Sequence, residues 1–176
     1  MRKITELVDQ QIEWVQPRAL KMQYELRADS ELVATLRFRS LFGSFATGES
    51  ADGCWTFKRV GFWQTRVTIR PCGGDSDIAS FKNNTWSGGG TLELADGRLF
   101  PATTNLWQTK LEFQDESNKT LIQFKSGGLL HQSAKVEVQP NAVGIRELPF
   151  VMMLGLYLIV MMNADTAITG SIAATS

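Results

Sequence analysis

The chemistry this sequence offers is carried by basic residues set beside aromatic ones. Lys58-Arg59 precede Gly61-Phe62-Trp63, and Arg66 and Arg70 follow. Arg37 and Arg39 alternate with Leu36 and Phe38, which in a strand puts the cations on the face opposite the apolar pair. Lys82 follows Phe81, and Lys125 follows Phe124. Cations on neighbouring strands can hold a phosphate headgroup through charge-assisted hydrogen bonds. The plainer expectation is that they solvate the outside of a sheet. Lys58, Arg59, Arg66, Lys82, Lys125, Arg37 and Arg39 form the candidate ligand-binding set.

No catalytic set is visible, so a non-enzymatic role is expected. His131 is the single histidine, and beside Leu129-Leu130 it reads as structural. Cys54 as a nucleophile needs a base within hydrogen-bond reach, and His131 alone could serve. Asp52 and Asp96 sit in Asp-Gly turns, where Asp is expected for turn geometry. Gly88-Gly89-Gly90 runs into a strand-like Thr91-Leu-Glu-Leu rather than a Lys-Ser/Thr and a helix, so it fails as a phosphate loop. Cys54 and Cys72 lack metal-ligand spacing, and reduced thiols in a cytoplasmic protein are expected. No metal or cofactor is expected. The formal net charge is zero, so no global pull toward nucleic acid exists and only a local patch would attract anions. The tryptophans are expected in core and rim packing rather than as a platform for bases.

Short segments with period-two alternation must position these residues. Ala19–Arg27 and Leu32–Arg39 read as a hairpin about the Asp29-Ser30 turn. Arg66–Arg70, Ile78–Lys82, Thr91–Leu94, Lys110–Phe113, Leu121–Lys125 and Lys135–Val138 follow the same habit. Part of the chain repeats: residues 49–69 align without gaps on residues 93–113, an offset of 44 that matches Ala51-Asp52-Gly53 to Ala95-Asp96-Gly97 and Trp63-Gln64-Thr65 to Trp107-Gln108-Thr109. Lys82 and Lys125 are equivalent at an offset of 43. Four strands per unit and three units, the N-terminal one fainter, give about twelve strands.

Leu148 to Met162 carries no charge, and its one polar group is the Tyr157 hydroxyl. An all-apolar helix has no solvent face. Its 15 residues reach roughly 22 Å, short of a bilayer core of about 30 Å. A core helix over about residues 147–163 is expected, with a C-terminal membrane anchor as the alternative. About twelve strands about 4.8 Å apart close into a barrel roughly 24 Å across, which leaves one layer of side chains around a helix. The expected fold is mainly β: a closed antiparallel barrel of about 12 strands around a central apolar C-terminal helix, one domain over residues 1–176, most simply a monomer.

That plan, with the pairs Phe57-Lys58, Phe81-Lys82 and Phe124-Lys125 and the run Leu148–Met162, resembles the tubby C-terminal fold of the LURP-one-related proteins and phospholipid scramblases. The likeness is nearest to small single-domain bacterial members. The resemblance implies a binding module for anionic phospholipid, such as phosphoinositide headgroups, at a membrane surface. A tail-anchored, scramblase-like protein is the alternative. The calcium-binding acidic motif of scramblases is not evident after Met162, where Asp165 stands alone. A carrier of small apolar ligands is disfavoured, because the helix is expected to fill the cavity.

Overall fold

The computed structural model describes residues 2–7, 10–18, 21–41, 43–61, 65–84, 89–127 and 133–173, with helix side chains as far as 167. Twelve strands run in chain order: β1 (Ile12–Val15), β2 (Gln23–Ala28), β3 (Glu31–Phe38), β4 (Phe45–Ser50), β5 (Gly53–Val60), β6 (Arg66–Pro71), β7 (Ala79–Asn83), β8 (Gly90–Leu94), β9 (Leu99–Thr104), β10 (Lys110–Gln114), β11 (Thr120–Ser126) and β12 (Ala134–Val138). Each pairs antiparallel with its chain neighbours, and β1 pairs with β12, Ile12 opposite Val136, which closes the barrel. Closure leaves no edge strand exposed. The expected closed twelve-stranded barrel is what the chain forms.

The repeat is visible in the register. The hairpin β5–β6 and the hairpin β9–β10 occupy equivalent places, each entered through an Asp-Gly turn. Gly97 has φ near +90°, a conformation in which glycine has no steric penalty.

Helix α1 (Leu148–Ala173) runs up the barrel, buried from Leu148 to Met161. Around it stand the inward rings of Tyr24, Phe57, Phe81, Phe113 and Phe124, all at most 1% exposed. Tyr157 is sandwiched between Phe38 and Phe57, with ring centroids 5.5 and 5.7 Å away. Its hydroxyl donates to the Ser44 carbonyl, so the one polar group in the apolar run is satisfied. The helix lies close against the wall where it lacks a side chain: a Cβ at Gly155 would overlap the Phe124 ring.

Two expectations need correction. The helix does not end near residue 163. Ala164 and Ala167 are strong helix formers, Thr166 donates back to the Met162 carbonyl at 2.9 Å, and the helix continues to Ala173. The cysteines are not free thiols either. Register sets Trp55 opposite Pro71, so Cys54 and Cys72 meet across β5 and β6 with Cα atoms 5.3 Å apart and form a disulfide. Cys54 is therefore excluded as the nucleophile considered above. His131 lies outside the described residues.

The two ends of the barrel differ. At the base, the short helix Ile4–Glu6 caps the opening, with Ile4 1% and Leu7 0% exposed. Asp52 accepts the Ile4 amide at 2.7 Å. Arg98 bridges Asp96 and Glu147, tying a base turn to the start of α1. Those hydrogen bonds hold the Asp96 carboxyl below the usual carboxylate range. Both turn aspartates thus serve the local structure. The opposite end, the mouth, is where α1 leaves the barrel.

Candidate functional site

Six connections face the base and six the mouth, because every strand reverses direction. Those at the base carry Asp29, Asp52, Asp75, Asp77, Asp96, Asp115, Glu116 and Glu147 against three cations, Arg98, Lys119 and Arg146. The sequences of the six at the mouth contain no Asp or Glu, while Arg18, Lys21 and Arg39 lie in them. A chain with zero net charge is thus polarised along its axis. The sequence reading missed this, since an axial segregation appears only once alternate turns are assigned to opposite ends.

The predicted cations fall into three groups around the mouth. On β5, β6 and β7, Arg66 stands opposite Lys82 and diagonal to Lys58, all three exposed. Arg37 on β3 and Arg39, just beyond its end, line a depression of about 310 Å³ together with Lys21. On β10, β11 and β12, Lys125 stands opposite both Lys110 and Lys135 in one ladder row. That last group shows the repeat at work, for Lys82 and Lys125 each pair with a glutamate of the next strand, Glu93 and Glu137. Those glutamates point outward one ladder step nearer the base, so in each case the cation is nearest the mouth. Among the described residues Arg37, Arg39, Lys58 and Arg66 form no ion pair.

Arg59 behaves differently from the rest of the set. The side chain before it, Lys58, is outward, and Phe57 is inward, so alternation turns Arg59 toward the helix. Its Nη1 and Nη2 each donate to Asp165 at 3.0 Å. It is an interior residue at the mouth, and the expectation that it projects outward with Lys58 is corrected.

Two of the mouth connections carry exposed apolar side chains. Leu106 and Trp107, between β9 and β10, are 98% and 84% exposed, and Leu41, between β3 and β4, is 59% exposed. Trp14 is fully buried and Trp55 packs near Phe150, as expected of core and rim residues. Trp107 departs from that expectation, because the hairpin turn that carries it lifts it clear of the barrel. Trp63, its counterpart in the repeat, and Trp86 lie outside the described residues. Leu99 and Val143, less exposed at 42% and 53%, are at the base.

No family model matches the chain, and no curated protein does. A solved structure does. The X-ray structure of an Arabidopsis thaliana protein, AT5G01750, superposes with a TM-score of 0.57 over 92% of this chain and 96% of that one. The two are 13% identical. The likeness is one of fold. It puts the barrel and its threaded helix in known company, and at that identity carries no side-chain role across.

Proposed function

We propose that this chain is a non-enzymatic, LURP-one-like member of the tubby-type barrels, and that it docks its mouth on an anionic membrane surface. One observation supports the reading above the others: the mouth connections are free of acidic residues, while those at the base hold eight. A surface of anionic phospholipid attracts the mouth and repels the base. Each Lys or Arg near such a surface contributes about 1 kcal/mol, an interaction that salt screens. The exposed Trp107 and Leu106 supply what electrostatics lacks, since an amphipathic indole settles at the level of the headgroups. The ligand class is the phospholipid headgroup, with the phosphoinositides as its most highly charged form. The depression lined by Lys21, Arg37 and Arg39 offers a phosphate three cations. The protein would act at the surface of a membrane, as a peripheral monomer.

The alternative is an anchor made of the helix itself. Leu148–Ala167 is long and apolar enough to cross a bilayer, yet 78% of its apolar 18-residue window is buried inside the barrel. Withdrawing it would empty the barrel, which favours the docked reading. Co-sedimentation with liposomes separates the two. Docking predicts salt-sensitive binding to phosphoinositide-containing liposomes, weakened at least tenfold by Arg66→Glu with Lys82→Glu and unaffected by Glu116→Ala at the base. Salt-insensitive binding to neutral liposomes would favour the anchor.

A further inference from the structure

The helix does not fill the barrel completely. Between α1 and the wall from β6 to β10, a cleft of about 420 Å³ opens at the mouth, within the range of about 300–1,000 Å³ usual for small-ligand sites. Its inner part is apolar, made by Phe81, Leu111, Leu158 and Met161, each at most 7% exposed. Its rim holds a charge pair, Arg59 and Asp165.

From this arrangement we infer that the cleft binds a single alkyl chain with an anionic head, the chain along Leu158 and Met161 and the head on Arg59 in place of Asp165. Two observations carry the assignment. The Arg59 side chain is 24% exposed, so its charge is largely withdrawn from water, while Asp165 is 58% exposed on the stretch of helix that has left the barrel. Asp165 holds Arg59 from the exposed side only, so an anionic head entering the cleft can compete for the same two Nη groups. The Nε of Arg59 is buried and has no hydrogen-bond partner among the described residues. A phosphate has oxygens for Nε as well as for the two Nη groups that Asp165 now engages. Each methylene buried in the apolar part adds about fourfold in affinity. The site lies inside the mouth, away from the outward cations, so it does not depend on the docking proposed above.

The test uses full-length protein with labelled methionine and leucine methyls, titrated with octyl phosphate, octanol or inorganic phosphate in the absence of vesicles. Octyl phosphate is expected to shift Met161 and Leu158 and to bind at least tenfold tighter than either fragment. Asp165→Asn, on an exposed position, should tighten octyl phosphate two- to fivefold, the displaced pair restated as affinity. Arg59→Gln should abolish the preference for octyl phosphate over octanol. Arg66→Glu with Lys82→Glu should leave octyl phosphate binding intact even where it removes vesicle binding, which keeps the two proposals apart. Shifts of the same methyls by anionic vesicles and not by octyl phosphate would assign the chain and head to a bilayer lipid rather than a free amphiphile. The inference is overturned if neither source shifts Met161 or Leu158, or if affinity is indifferent to both Asp165→Asn and Arg59→Gln.

Discussion

Replacing Gly155 with alanine is the sharpest probe of how the helix and barrel fit. In an isolated helix the change is favourable by about 1 kcal/mol, because glycine is the poorer helix former. In this barrel the added methyl overlaps the ring of Phe124. That ring has nowhere to go: it is fully buried and lies edge-on to Phe113 at 6.3 Å, and Phe113 lies edge-on to Phe81 at 6.2 Å. Overpacking of a closed core costs about 1–3 kcal/mol, and three linked rings put this site at the upper end. The net expectation is a loss of about 2 kcal/mol, or a fall in Tm of about 4–8 °C for a chain of this size. Chemical denaturation of both proteins, followed by circular dichroism, measures it. Phe124→Leu should relieve the clash, so that Gly155→Ala costs about 1 kcal/mol less in that background. A neutral or stabilising Gly155→Ala would refute the threaded helix, because only a helix free of the wall, in solvent or lipid, gains from the substitution.

Two further outcomes follow from the core and the wall. Burial pushes Tyr24 and Tyr157 up to about 12, so folding favours their protonated forms. That stability is complete below the ordinary value of 10.0 and is lost as pH rises from there through about 12. The chain has no other tyrosine, so ultraviolet titration should show phenolate forming together with unfolding, whereas ionisation near pH 10 with the barrel intact would contradict the burial. Cys54 and Cys72 close a loop with a sequence separation of 18, and replacing both by serine should lower stability by about 3 kcal/mol in oxidised protein, read by urea denaturation.

Much of this fold was legible because the physics is local. Alternation marked β2, β3, β6 to β8 and β10 to β12, and a run with no polar face left Leu148–Met162 no place but an interior. The repeat supplied the strand number, which no single segment could. What escaped the reading depends on register. The disulfide arises because β5 and β6 pair with Trp55 opposite Pro71. Arg59 looked like a companion of Lys58, but a one-residue step in a strand reverses the face. The axial separation of charge was in plain view, as acids in one set of turns and none in the other, yet it has no meaning until alternate turns are known to share an end. The end of the helix was misplaced because Asn163 and Asp165 are weak stops when alanines follow them.

The central claim is that the mouth faces the membrane. An environment-sensitive fluorophore can be attached to a cysteine at Leu106→Cys on the mouth or, in a second protein, at Glu116→Cys on the base, with Cys54 and Cys72 left oxidised. On adding anionic vesicles at low salt, the account predicts a blue shift and quenching by lipid-borne quenchers at the mouth position and none at the base position. A response at the base alone, or an equal response at both, would contradict it.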